Sequence, residues 1–144
     1  MNEKLYFEDV DIGDEIGPVT RTVSDEEVIQ FVSIRDEKVT PSRFTSKEFA
    51  NSEGLDEAIV PGAMNIALMS QVLTNWSETV CLLKIDVVFR GTVPHNKDLV
   101  FSGIITDKDE TGESTKLECD IVMENSDGVK LVIGTGIIAL PNKP

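Results

Sequence analysis

Apolar positions change their period along this chain, and the changes mark out its elements. Val28, Ile29, Phe31 and Val32 recur at helical spacing, in a stripe that ends near Ile34. Ser24 and Glu27 precede that stripe as a capping box, each side chain satisfying an amide that the first turn leaves open. Upstream, Gly17-Pro18 interrupts the chain, and Val19 to Val23 reads as a short strand. Residues 35–58 are polar and irregular, with Pro41 and Gly54, and hold a short helix around Ser46 to Ala50. A stretch that long without regular structure is often functional in a compact domain. Ile59-Val60-Pro61-Gly62 then leads into a second helix, from Ala63 to about Asn75. Met64, Ala67, Leu68, Gln71 and Val72 form one stripe on it, and Ile66, Met69 and Leu73 another. A helix apolar nearly all round is expected to be buried.

After Trp76 the period falls to two. Leu83, Ile85, Val87 and Phe89 alternate with Lys84, Asp86 and Arg90, the pattern of a half-buried strand. Leu99 to Thr106 follows as a strand, and then Leu117, Cys119, Ile121 and Met123 alternate with Glu118, Asp120 and Glu124. Asn125-Ser-Asp-Gly128 signals a hairpin, with Val129 to Leu140 as the return strand. Gly134-Thr-Gly136 lies inside that apolar run, so it reads as close backbone packing rather than a nucleotide loop. The order predicts an α+β domain in which an antiparallel meander of about four strands wraps a buried central helix. The outer face of the sheet, with Lys84, Asp86, Glu118, Asp120 and Glu124, is expected to meet water.

Size and charge narrow the functional classes. A chain of 144 residues suits one domain, residues 1–144. Thirteen basic against twenty-six acidic residues give a net charge of −13, which argues against nucleic acid and anionic membrane as partners. No apolar run approaches the roughly 20 residues that span a bilayer. The first residues lack the basic start and apolar core of a secretory signal, and two distant cysteines, Cys81 and Cys119, suit a reducing compartment; a cytoplasmic protein is expected. His95 is the single histidine. With it go the multi-histidine metal sites, so no metal is expected. No phosphate loop, dinucleotide fingerprint or nucleophile elbow is present.

Several segments, in order, carry a resemblance. Phe7-Glu-Asp-Val-Asp-Ile-Gly13-Asp14 opens the chain, Glu48-Phe49-Ala50 closes the polar stretch, Ile59-Val60-Pro61-Gly62-Ala63-Met64 begins the central helix, and Phe89-Arg-Gly-Thr-Val-Pro94 ends a strand. Together they resemble the MaoC-like hydratases and dehydratases of the hot-dog fold, over nearly the whole chain. The resemblance implies an acyl thioester, such as an acyl-CoA, as substrate or ligand, with no other cofactor. It also implies an Asp-x-Asn-Pro-x-His loop that handles the proton and the water. Here that stretch is Lys38-Val39-Thr40-Pro41-Ser42-Arg43. Aligned on Pro41, the aspartate becomes Lys38 and the histidine Arg43; counted back from Ala50, the slots hold Val39 and Phe44. Neither register supplies the pair that general acid–base catalysis requires. His95 belongs to a later turn, expected to be exposed, and does not restore it.

The electrophilic half of such a site is retained. Gly62 opens the helix with an amide that has no intrahelical partner, Pro61 fixes its approach, and the positive end of the helix dipole suits a thioester oxygen. Pro61, Gly62, Ala63 and Arg90 are therefore the candidate substrate-binding residues, although Pro-Gly is also an ordinary loop-to-helix junction. Asp56 and Glu57 are candidate displaced bases, or else a solvated loop pair, and the same alternatives hold for Asp36 and Glu37. Arg43, Lys47, Arg90 and Lys97 are either a basic rim for the nucleotide end of CoA or scattered surface charges. Trp76 and both cysteines read as packing groups, the thiols buried and inert. The resulting expectation is a non-catalytic acyl-CoA-binding chain, in a homodimer or in a heteromer with a catalytic MaoC-like chain. Two other readings stay open: a self-sufficient hydratase or thioesterase using a displaced carboxylate, and a structural or ligand-sensing homodimer.

Overall fold

A computed structural model describes residues 3–144. After a single 3₁₀ turn at Phe7–Asp9 come β1 (Glu15–Arg21), α1 (Asp25–Arg35), α2 (Lys47–Ser52) and α3 (Gly62–Thr74). Four strands follow: β2 (Cys81–Phe89), β3 (Leu99–Lys108), β4 (Lys116–Asn125) and β5 (Lys130–Ala139). All five strands form one antiparallel sheet in the order β1-β3-β4-β5-β2, curved around α3. The expected α+β architecture with a helix against a wrapped sheet is present.

The order departs from a simple meander. β3, β4 and β5 are joined by consecutive hairpins, but β2 pairs with β5 and not with β3. Residues 90–98 must therefore carry the chain from one edge of the sheet to the strand beside the other. That crossing is held on the way: Val60 N–H donates to the Val93 carbonyl at 2.8 Å, and Ile59 bridges Pro94. Period-two patterning finds strands but not their neighbours, because every pairing of alternating strands buries the same face. β1 also begins earlier than expected, at Glu15 rather than Val19, and Gly17-Pro18 sits in a bulge between Ile16 and Val19 rather than ahead of the strand. Proline is tolerated there because β1 is an edge strand and a bulge needs no ladder donor.

The capping box forms as read: the Glu27 amide donates to Ser24 Oγ at 3.2 Å. The buried stripe of α1 is narrower than predicted, with Val28 and Val32 inside but Ile29 and Ile34 exposed. α3 supplies the centre of the core. Met64, Leu68, Met69 and Leu73 are buried against inward-facing Phe101, Ile105, Leu117, Cys119 and Met123. A Cβ on Gly136 would lie 2.8 Å from Leu73 Cδ1 and 3.1 Å from Cys119 Sγ, so the missing side chain is what lets helix and sheet approach. The prediction that α3 is buried all round fails for this chain. Ala63, Ile66 and Ala67 are exposed, since the sheet covers only one side of the helix.

The outer sheet residues Lys84, Asp86, Glu118 and Asp120 are exposed as expected, and Glu124 is half-buried. Cys119 is buried, but Cys81 is exposed, which corrects its assignment to the interior. It opens an edge strand, with a neighbour on one side only. Leu83 and Phe89, read as the inward positions of that strand, are exposed as well. Trp76 packs against the core.

Candidate functional site

Ile59-Val60-Pro61 reaches α3 already tied to two other segments. The Ile59 amide donates to the Arg43 carbonyl at 3.0 Å, and Val60 is bonded to Val93. Three parts of the chain thus meet at the start of the helix: the end of the polar loop, the approach to α3 and the crossing after β2. Pro61 is the N-cap residue and has no side-chain group to cap the turn. The first helical amides, beginning with Gly62, have no intrahelical acceptor. Asn65 N–H returns to the Pro61 carbonyl at 3.0 Å and begins the regular ladder. Open amides and the positive end of a helix dipole form a place where a carbonyl oxygen gaining negative charge is stabilised.

Gly62 is half-buried and Ala63 exposed. A Cβ placed on Gly62 would lie 3.4 Å from the Phe89 ring, so that exposed aromatic forms a wall beside the helix start. Arg90 follows it directly and is exposed. Asn65 was not identified from the sequence. It is buried on the first turn, its amide nitrogen 3.5 Å from the Val60 carbonyl and its Oδ1 without a partner among the described residues. One signal was legible: a lone amide among Met64, Ile66, Leu68 and Met69, on a helix otherwise given to packing.

In the loop before this point, residues 38–44 hold no aspartate, glutamate or histidine. Lys38, Pro41 and Arg43 are exposed, while Phe44 packs against the core. Its own hydroxyls hold the turn: Ser42 N–H donates to Thr45 Oγ1 at 3.1 Å, and that hydroxyl donates to the Thr40 carbonyl at 3.2 Å. Arg43 Nε is 2.9 Å from Glu53, and Lys47 Nζ is 3.4 Å from Glu57. Two cations of the expected basic rim are thereby engaged at the surface, Arg43 by Glu53 and Lys47 by the candidate base Glu57. Asp56 is exposed, and Asp36 pairs with its neighbour Arg35 at 3.1 Å.

His95 departs most from the expectation of an exposed turn. Its side chain is 6% exposed, and Nδ1 donates to Asp25 Oδ1 at 2.8 Å. Asn96, in the left-handed region at φ 59°, donates to the same oxygen at 3.0 Å. The His95 ring first, then the Asn96 amide, holds the Asp25 carboxyl below its ordinary range. This histidine fastens the crossing segment to the start of α1; its partners are not on the loop at 36–46.

No protein-family model and no curated protein matches this sequence. Solved structures do. The R-hydratase PhaJ1 from Pseudomonas aeruginosa superposes with a TM-score of 0.83 at 16% identity, over 99% of this chain and 89% of that one. A MaoC-like dehydratase from Rhodospirillum rubrum gives 0.77 at 14% identity, over 97% and 99%. The chain has the hot-dog fold of the MaoC-like hydratases and dehydratases. A chain of the ChsH1–ChsH2 complex from Mycobacterium tuberculosis is similar too, with a TM-score of 0.77 at 14% identity over 91% and 98%.

Proposed function

We propose that this chain binds an acyl thioester at the start of α3 and lacks the means to move a proton there, so that it serves as the non-catalytic subunit beside a hydratase or dehydratase chain with an intact Asp/His loop. The observation that carries the reading is the juxtaposition at Ile59–Gly62. An uncapped helix start with a glycine is reached through Ile59, which is hydrogen-bonded to a loop, residues 38–44, that holds neither aspartate nor histidine. Gly62 and its neighbouring amides would receive the thioester oxygen, Pro61 and Ala63 would line the approach, and Arg90 would face the anionic end of the ligand.

A partner is supported by what the fold leaves open. Leu83 and Phe89 on edge strand β2, with Ile66, Ala63 and Ala67 on the adjoining flank of α3, form an exposed apolar seam beside the site. An unpaired strand edge next to apolar surface favours pairing with another chain. One of the similar structures, the ChsH1–ChsH2 complex, consists of two different chains. A second copy would fill the same seam with an equally deficient loop; a chain with an intact loop would complete the chemistry.

The test is to purify the chain alone and together with a hydratase subunit encoded beside it, then measure crotonyl-CoA binding and hydration. Binding by the chain alone, with turnover only in the mixed assembly, is the expected result. Turnover by the chain alone that is abolished in Glu57→Gln or Asp56→Asn would replace this reading with a carboxylate enzyme.

A further inference from the structure

The outward face of the sheet is not uniformly polar. In register across four strands lie Ser102 on β3, Val122 on β4, Ile133 on β5 and Val88 on β2, with Val88 54% exposed. Beside that row runs another across all five strands: Glu15, Ile104, Asp120, Thr135 and Asp86. Both rows line a groove of about 820 Å³. Its three carboxylates stand on alternate strands, and strands lie ~4.8 Å apart, so the acids recur roughly every 10 Å. Among the described residues Glu15 and Asp120 have no ion pair, while Asp86 is 3.4 Å from Lys84. Lys130 is the one cation among the groove's lining residues.

We propose that this groove docks an amphipathic helix of another protein that carries lysine or arginine at seven-residue intervals along one side of an apolar ridge. Two heptad positions on a helix are separated by ~10.5 Å, which matches the carboxylate spacing when the helix lies across the strands. Its ridge covers Val88, Ile133 and Val122, and its cations meet Asp86, Asp120 and Glu15. A second copy of this chain is the poorer occupant, because a protein of net charge −13 would bring a second row of acids against the first. The proposal stands apart from thioester binding at α3 and survives its failure.

The probe is a synthetic helical peptide of about 18 residues, with a leucine ridge and lysines at i, i+7 and i+14, compared with the same peptide bearing glutamates. The lysine peptide should bind the wild-type chain at least about tenfold more tightly than the glutamate peptide, and the difference should shrink at ~0.5 M salt. The triple variant E15K/D86K/D120K should reverse the preference, and Val88→Ser should weaken the lysine peptide without reversing it. Because substituted sheets can fold poorly, methyl NMR of the wild-type protein supplies the second reading. The Val88, Val122 and Ile133 methyls should shift on adding the lysine peptide and not on raising the protein concentration alone. Equal binding of the two peptides, unmoved methyls, or shifts produced by protein concentration alone overturns the proposal, the last by assigning the face to a second copy.

Discussion

The helix start and the loop that leads to it have different fates in this fold. At Pro61-Gly62, where we propose that a thioester oxygen is received, the first turn is uncapped, Gly62 carries no side chain, and the approach through Ile59 and Val60 is anchored to Arg43 and Val93. Residues 38–44 hold no aspartate, glutamate or histidine, and Ser42 and Thr45 hold the turn there. On the proposed reading, the difference teaches that binding and proton transfer sit on separable parts of the architecture. A helix N-terminus is retained because the core requires α3, whereas exposed loop side chains can be exchanged with little effect on stability.

That contrast has a direct test in stability. Leu73→Ala, in the fully buried part of α3, should cost about 2–5 kcal/mol in a denaturant titration, whereas Lys38→Ala in the loop should stay within about 0.5 kcal/mol. Comparable losses at both positions would remove the distinction. In binding, Gly62→Val should weaken crotonyl-CoA about tenfold by calorimetry, some 1.4 kcal/mol. A first Cβ meets the Phe89 ring at contact distance, and the valine methyls must displace it. Gly62→Ala should be milder.

The two cysteines sharpen the difference between core and edge. Burial pushes the Cys119 thiol up to about 11, so at pH 8 it should resist a thiol reagent that labels Cys81 at once. Mass spectrometry should find one label in the native protein and two after denaturation.

A smaller effect concerns the loop between β3 and β4, where hydrogen bonds from Ser114 and Thr111 hold the Asp109 carboxyl at about 2. A depressed carboxyl contributes stability above its unfolded value near 3.8 and loses it as pH falls toward 2. The melting-temperature gap between wild type and Asp109→Asn should therefore be widest at neutral pH and narrow below about pH 4.

Much of this was legible in the residue pattern. The capping box at Ser24 and Glu27, the apolar length of α3, the Asn125–Gly128 turn and the strands from 81 to 140 all follow from local periods. What the pattern did not reveal depends on distant partners. His95 was read as exposed because nothing near it in sequence announces Asp25, seventy residues away. Cys81, Leu83 and Phe89 have interior parity, but parity does not tell an edge strand from a central one. The outward row of Val88, Val122 and Ile133 stayed hidden for the same reason, since it exists only once the registers of β2, β4 and β5 are known. The candidate site was half legible: Pro61-Gly62 and the loop at 38–44 stand in the sequence, while the Phe89 wall and the unpartnered Oδ1 of Asn65 among the described residues come from packing.

The central claim is that this chain retains the binding half of a thioester site without the proton-handling half. It is tested most directly by the hydration rate of crotonyl-CoA with the isolated chain at a concentration where calorimetry shows the ligand bound. Loss of an acid and a base removes contributions of about 10²–10⁴-fold each, so saturable binding should accompany a rate equal to background. Turnover well above background by the chain alone would contradict the claim.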